Sequence, residues 1–144
     1  MSNRSLREVI EGQVLISGSE AMSIREAARR MVEFRVGALP ILREQRMVGI
    51  FTERDVLARV MVPGLDPDKT QVAQVMTHNP LEVDIERSLA HALHLMQNHG
   101  VRHLPVMEGK LPVGMVTTRD ALGEDWLRFE VERGLEDEVA ALLR

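Results

Sequence analysis

The sequence predicts an α/β (α+β) fold assembled from two copies of one small β-α-β-β-α unit, and three observations predict it. The first is a duplication: residues 37–57, GALPILREQRMVGIFTERDVL, align without a gap on residues 102–122, RHLPVMEGKLPVGMVTTRDAL, at a constant offset of 65. Leu39-Pro40 falls on Leu104-Pro105, Val48-Gly49 on Val113-Gly114, and Thr52, Arg54, Asp55 and Leu57 on Thr117, Arg119, Asp120 and Leu122. The register runs back through Val36/Val101, Met31/Met96, Ala27/Ala92 and Ser23/Ser88. A constant offset held over this span marks an internal repeat. The second observation is periodicity, which switches inside each copy from helical i, i+3, i+4 spacing to two short apolar runs around a polar turn. The third is size. Of 144 residues, one half alone buries too little surface to be stable, so the halves share a core or lean on a partner chain.

Taken in order, residues 4–11 (RSLREVIE) are predicted to form a short helix, with Leu6, Val9 and Ile10 on one face. Val14-Leu15-Ile16 reads as a first strand, ended by Ser17-Gly18-Ser19. Ser23 opens a second helix as its N-cap, and Glu26 three residues on completes a capping box. Ile24, Ala27, Ala28, Met31 and Val32 make its buried stripe, and the helix frays near Arg35. Residues 38–42 form a strand whose Pro40 places it at an edge, a strand start or a bulge. REQR turns the chain, residues 47–51 return, and Thr52 ends that strand and caps a helix from Glu53 to about Val60. VPGLDPDK, residues 62–69, has the Pro, Gly and Asp density of a linker.

The second copy repeats the order. Residues 72–76 match the first short helix, Leu81-Glu82-Val83 the first strand, and residues 88–98 the longer helix. Residues 103–107 and 111–116 are the hairpin, turned by Glu108-Gly109-Lys110, and Thr117 starts the last repeat helix. The organisation is a first repeat over residues 6–62 with its lead-in helix, a linker over 63–70, a second repeat over 71–123, and a segment over 124–144 with no counterpart in the first copy. In that segment Trp126, Phe129 and Val131, then Leu135, Val139 and Leu142, predict an amphipathic helix with Gly134 as a weak point. It is expected to pack on its own module or on a second copy. Its acidic polar face argues against a membrane surface.

Composition removes several function classes. A 44% hydrophobic and 28% charged chain is that of a soluble globular protein and not a disordered one. No apolar run reaches the ~20 residues of a membrane span, and the N-terminus MSNRSLREVI lacks the apolar centre of a signal peptide. Without cysteine there is no disulfide framework, thiolate metal site or cysteine nucleophile, and the cytoplasm is the expected compartment. A net charge of -4, with three Phe, one Trp and no Tyr, argues against a nucleic-acid partner.

Chemistry is concentrated in Val48-Gly49-Ile50-Phe51-Thr52-Glu53-Arg54-Asp55 and its copy, Val113-Gly114-Met115-Val116-Thr117-Thr118-Arg119-Asp120. Each runs strand, threonine, helix start. The plain reading is capping: T-x-x-D places a threonine acceptor and a dipole-compatible carboxylate at a helix start. The sharper reading is a nucleotide's sugar-phosphate. Free N–H groups at a helix start and a threonine hydroxyl suit phosphate, and a carboxylate can accept from ribose hydroxyls. Gly49 and Gly114, inside strands, mark close approach by a ligand or another backbone. Duplication at identical spacing strengthens this second reading.

The repeat resembles a cystathionine β-synthase-type (CBS) domain, whose pattern is a short strand, a helix, x-x-L-P-V, a turn, V-G-h-h-T-x-x-D (h, hydrophobic) and a second helix. The chain reads Ala38-Leu39-Pro40-Ile41 and then residues 48–55, and the same again 65 residues later. Residues 72–76 followed by Thr77 are similar to the family's V-x-x-V-M-T lead-in, and the resemblance covers about residues 6–123. It implies two CBS repeats about a pseudo-twofold axis, as small mixed sheets flanked by helices, the unit called a Bateman module. The module would stand alone, as a homodimer, sensing a ligand and not acting as an enzyme. The ligand implied is adenosyl (AMP, ADP or ATP, in some members NAD or S-adenosylmethionine), bound in a cleft between the repeats, with Mg²⁺ only alongside ATP. Occupancy would be read by an effector protein, since the chain carries no effector domain of its own.

Carried over position by position, the resemblance implies that Asp55 and Asp120 hold ribose hydroxyls. Thr52 and Thr117 would contact ribose or phosphate, with Arg119 beside them, and Ile16 and Val83 would flank adenine. In nucleotide-binding members the two residues before Leu-Pro are often basic and reach phosphate. The second copy has Arg102-His103 there and the first has Gly37-Ala38, so one better phosphate site, at Arg102 and His103, is expected. The alternative for Arg102 is a solvated charge at a strand end.

His91 and His94 share a helix face, and His99 and His103 lie near the following loop, but no spacing fixes the three or four converging ligands of a zinc site. No nucleophile elbow or Walker-type loop is present. Glu8/Glu11 and Asp84/Glu86 read as solvated carboxylates. The rival to sensing is a dimerisation or interaction scaffold that binds no ligand and keeps its Thr/Asp motifs as helix caps. Regulation by RNA or DNA and a small enzyme follow behind it.

Overall fold

The computed structural model describes residues 4–119 and 141–142, and in it the duplication becomes two sheets. The elements in order are α1 (Leu6–Val9), β1 (Gly18–Ser19), α2 (Ile24–Phe34), β2 (Ala38–Arg43), β3 (Arg46–Thr52), α3 (Glu53–Asp55), β4 (Thr77–His78), β5 (Val83–Asp84), α4 (Leu89–His99), β6 (His103–Glu108) and β7 (Leu111–Thr117). The first sheet has the order β1-β2-β3-β4 and the second β5-β6-β7. Asp120 and the predicted helix of residues 124–144, apart from residues 141–142, lie outside the described residues.

Each sheet is a hairpin with a short parallel strand on one side. β2 pairs antiparallel with β3 and β6 with β7, while β1 and β5 run parallel to β2 and β6. The hairpin turns differ. Glu44 and Gln45 make the first, both at positive φ (49° and 65°), whereas Gly109 opens the second at 64°. Left-handed residues suit the right-handed twist of the strands they join.

β2 and β6 are central strands, so Pro40 and Pro105 are not at an edge. The parallel partner begins one residue past each proline, at Ile41 and Val106, and a register shift follows directly. A missing N–H therefore interrupts no ladder on that side. The short parallel strands also sit later than predicted: Gly18–Ser19 in place of Val14-Leu15-Ile16, and Val83–Asp84 in place of residues 81–83. At Gly18 the space a Cβ would need is taken by Met22 Sδ, 2.8 Å away, and Ile41 Cδ1, 3.1 Å away. A side chain here would have to displace the ends of Met22 and Ile41 where this strand meets β2.

The long helices follow their caps. Ser23 and Ser88 accept from the N–H of Glu26 and His91, each at 3.1 Å. Ile24, Ala27 and Met31 in α2, and Leu89, Ala92 and Met96 in α4, are buried at the predicted spacing. Val32, predicted in the stripe, is instead 79% exposed, because a step of one residue past Met31 turns about 100° around the helix axis. After α3 the chain does not continue as a plain α-helix to Val60. It widens into a π-type turn over Val56–Met61, with i→i+5 bonds from Val62 N to Leu57 O and from Leu65 N to Val60 O, both 3.0 Å.

The lead-in segments cross over. Leu6 and Ile10 belong to the core of the second repeat, with Val83, Leu89, Met96, Leu104 and Val116. Val72, Val75 and Met76 belong to the core of the first, with Ile24, Met31, Leu39 and Phe51. Backbone bonds lock each crossing: Leu6 N to Arg87 O and Leu89 N to Arg4 O on one side, Val72 N to Met22 O and Ile24 N to Thr70 O on the other. This reciprocal exchange is why neither half, at its marginal size, has to close a core unaided. It also relates the halves by an approximate twofold, with β3 and β7 meeting where the two sheets adjoin.

Candidate functional site

The crossing settles what the strand glycines are for. A Cβ on Gly49 would lie 2.6 Å from Met76 Sδ and 2.9 Å from the Thr77 carbonyl oxygen, and one on Gly114 would lie 2.8 Å from three carbons of Ile10. The close approach predicted at these glycines is thus made by the lead-in segments and not by a ligand.

The motif of the first repeat is a complete capping box. Asp55 is buried, and its Oδ2 accepts from Thr52 N at 2.9 Å and from Thr52 Oγ1 at 3.1 Å, while Asp55 N donates back to Oγ1 at 3.2 Å. The other oxygen, Oδ1, faces Arg59 Nε at 3.6 Å. Arg59 in turn donates to the carbonyls of Val75 and Met76, at 3.1 and 3.2 Å, and so ties this aspartate to the crossing lead-in. The first helical N–H of each copy is also taken: Glu53 N donates to Gly37 O (3.1 Å) and Thr118 N to Arg102 O (3.2 Å). Those amides, expected free for phosphate, instead fasten each helix start to the head of its own hairpin.

These bonds shape a cleft of about 620 Å³ between the repeats. Val14, Leu15 and Ile16 give it an apolar wall, and Arg35, Val36, Gly37 and Ala38 bring the end of α2 and the head of β2 to it. From the second repeat come Arg102 and His103 at the head of β6, and Thr117, Thr118 and Arg119 at the end of β7. A volume of roughly 300–1,000 Å³ is that of small-molecule sites in general. At its centre the repeats touch: His103 Nε2 lies 2.8 Å, and Glu53 Oε1 3.2 Å, from where a Cβ on Gly37 would stand. Glycine at position 37 is what allows the imidazole to cross. Gln13, at the rim, uses its side-chain amide as a substitute strand, donating to Met115 O (3.1 Å) and accepting from Met115 N. In the first repeat β4 makes the corresponding pairing with Ile50 through its backbone.

Of the residues singled out from sequence, Ile16, Arg102, His103, Thr117 and Arg119 line this one cleft. Thr52 and Asp55 do not; they are committed to each other in the cap. Val83, expected beside adenine, is buried in β5 against Val106 in the second repeat's core. The counterpart of Ile16 at the 65-residue offset is the half-buried Leu81. Asp120 lies outside the described residues. Sequence reasoning missed Arg35, Glu53 and Gln13. The clue to Arg35 was that its counterpart is Gly100, an ordinary helix-ending glycine. No group of three or more His, Asp or Glu converges as a metal site among the described residues.

Outside the cleft, Glu8 and Glu11 are exposed as expected, while other carboxylates have structural partners. Glu86 pairs with Arg7 and so clips α1 to the second repeat, and Asp84 accepts from Glu86 N at 2.8 Å. Glu20 binds Arg43 through two hydrogen bonds of 2.5 and 2.7 Å, and Asp68 pairs with Arg25. The hydrogen bond from each arginine holds the Glu20 and Asp68 carboxyls below their usual range.

The CBS domain family profile matches residues 15–62 and 72–126, and the chain belongs to that family, with two copies of the domain. Hypoxic response protein 1 of Mycobacterium tuberculosis is 32% identical over 115 residues, which cover 79% of this chain and 80% of that protein. The crystal structure of an uncharacterized conserved protein from Pyrococcus horikoshii superposes with a TM-score of 0.77 at 32% identity, covering 87% of this chain and 95% of that one. The CBS domain pair of protein MJ0100, solved in complex with 5′-methylthioadenosine and S-adenosyl-L-methionine, superposes with a TM-score of 0.73 at 24% identity, covering 83% and 93%. The chain spans 14–16% of the length of several Arabidopsis thaliana CBS domain-containing proteins that it matches at 36–38% identity.

Proposed function

We propose that this chain is a regulatory module that binds an adenosyl ligand in the cleft between its two CBS repeats and signals to an effector protein, without catalysing a reaction. The observation that carries it is the convergence, in one cleft, of an apolar wall at Ile16 with Thr117, Arg102, His103 and Arg119. The wall suits an adenine face, and the hydroxyl and cations suit the sugar-phosphate. Asp120 follows Arg119 directly and is assigned the ribose hydroxyls. The fold's capacity for adenosyl groups, seen in the MJ0100 complex, lends support. AMP, ADP and ATP, then NAD and S-adenosylmethionine, are the candidates, with Mg²⁺ accompanying ATP. Since the cleft draws on both repeats, its occupancy would shift their relative arrangement and so be readable by a partner.

The test is a thermal-shift screen against these ligands and GTP, with and without Mg²⁺. A ligand at 100 times its dissociation constant should stabilise by about 2.7 kcal/mol. Asp120→Ala should abolish the shift with only modest loss of stability. If no adenosyl ligand shifts the wild-type melting point, the sensing role fails and a scaffold remains. The Thr52–Asp55 cap is what favours that second role in the first repeat.

We further propose a homodimer and a cytoplasmic location. Val32, Leu57, Met61 and Val62 are exposed on the outer helical side of the first repeat, beside a groove lined by Ile24, Val56 and Val60. A second copy would cover this apolar surface. Sedimentation should give twice the chain mass, and Met61→Glu should return a monomer. Among the described residues no helix is long and apolar enough to cross a membrane.

A further inference from the structure

Arg35 ends α2 in the left-handed region (φ 55°, ψ 44°), its N–H donating to the carbonyls of Met31 and Val32. At the matching position α4 ends on Gly100 (φ 65°, ψ 29°), with the same two bonds to Met96 and Gln97. The backbone requirement is identical, and only glycine meets it without strain. The first repeat therefore bears a conformational cost to put a side chain here, and that side chain reaches the cleft. Strain held at one position and relieved at its counterpart points to a use for the side chain.

The company Arg35 keeps says what that use is. Arg102 and Arg119 line the same cleft; all three arginines are exposed, and none forms an ion pair among the described residues. Glu53 is the only carboxylate among the described lining residues. Three arginines line this concave site with Glu53, and even with Asp120 added they outnumber its carboxylates, which leaves a surplus of positive charge; guanidinium forks match phosphate oxygens bidentately. The counterpart positions carry Gly100, Gly37 and Arg54, so the symmetry-related face keeps one cation of the three.

Building on the adenosyl-ligand role above, we propose that the cleft selects phosphorylated adenosyl ligands over thioadenosyl ones, one per chain, with Arg35 as the specificity-determining residue. A thioether would offer the three arginines nothing to bind, and S-adenosylmethionine would bring a single carboxylate outweighed by its sulfonium and ammonium, against the several negative charges of a di- or triphosphate. Because Arg35 comes from the first repeat and Arg102 and Arg119 from the second, a phosphate chain would be gripped from both sides.

The experiment is titration calorimetry of wild-type and Arg35→Gly protein with AMP, ADP, ATP, 5′-methylthioadenosine and S-adenosylmethionine. Melting of each ligand-free protein is recorded alongside. Wild type should bind ADP or ATP at least about tenfold more tightly than 5′-methylthioadenosine, with one site per chain. Arg35→Gly should lose about tenfold for the phosphorylated ligands and nothing for 5′-methylthioadenosine. Its ligand-free melting point should hold or rise, since glycine relieves the left-handed residue; a merely structural role would not combine those two results. Equal wild-type affinity for ADP and 5′-methylthioadenosine, or an Arg35→Gly variant that binds ADP as wild type does, overturns this proposal alone. Failure of every adenosyl compound to bind overturns it together with the role on which it rests.

Discussion

In the first repeat the motif aspartate, Asp55, is 7% exposed, with one oxygen given to Thr52 and the other facing Arg59. In the second repeat the residue four positions after Asp120, where the first has Arg59, is Glu124. One copy of T-x-x-D is closed on itself and latched through Arg59 to a lead-in segment, and the other has no arginine at that position to make such a latch. Around them the basic side chains are also distributed unequally: Arg102 and His103 stand where the first copy has Gly37 and Ala38, and Arg35 stands where the second has Gly100. The lesson is that a duplicated motif keeps the backbone it specifies while its side chains divide the work. In the first repeat Thr52 and Asp55 are committed to a cap, and in the second Thr117 and Arg119 line the cleft.

That contrast can be broken at several strengths. The largest effect is expected in the cores. Phe51 is fully buried, and its counterpart is the equally buried Val116. Phe51→Ala should cost about 3–5 kcal/mol in urea denaturation, and Val116→Ala about half that, because fewer buried carbons are lost. Equal costs would mean that the repeats do not depend on different anchors.

The crossing lead-ins come next. Gly49→Ala and Gly114→Ala should each cost about 1–3 kcal/mol through overpacking. Ile10→Ala should recover only part of the loss at Gly114, since it removes the Cδ1 and Cγ2 contacts but keeps the Ile10 Cβ, itself 2.8 Å away. No truncation of Met76 should fully recover Gly49→Ala, because the Thr77 carbonyl also stands in the way. A double-mutant cycle on each pair reads the difference.

Asp55→Ala sharpens the contrast between the motifs. It should cost about 0.5–2 kcal/mol as a lost cap and leave the affinity of the cleft for its ligand unchanged. A variant that kept its stability but lost ligand would place Asp55 in the site after all.

The smallest effect is acid sensitivity. The carboxyls of Glu20 and Asp68 are held below their usual range, first by hydrogen bonds from Arg43 and Arg25. A depressed folded-state pKa stabilises above the unfolded value, and that contribution is lost as pH falls through the folded one, so the loss should set in below about pH 4. Both pairs are at the surface, so the change is slight. Glu20, Arg25 and Arg43 belong to the first repeat and Asp68 to the linker, and the second repeat has Ile85 and Ala90 at the positions of Glu20 and Arg25. Melting followed from neutral to acid pH should flatten in an Arg25→Ala, Arg43→Ala double variant.

Much of this was legible in the chain itself. The 65-residue offset gave the number of repeats, serines 23 and 88 gave the helix starts, and residues 52–55 gave the cap, because each depends on neighbours within a few positions. The resemblance to the CBS domain, carried over position by position, picked out five residues that line the cleft and misplaced Val83. Local spacing misplaced the parallel strands and Val32, whose positions depend on what lies across the sheet or against the helix.

By itself, then, the sequence determined the periodic elements and their duplication, since hydrophobic period and capping chemistry are short-range properties. Only the tertiary structure decided that each lead-in crosses to the opposite core, that Gly49 and Gly114 make room for it, and that Arg35 stands strained at the cleft. Those facts concern residues tens of positions apart, and nothing in the local spacing of either partner encodes which surfaces will meet.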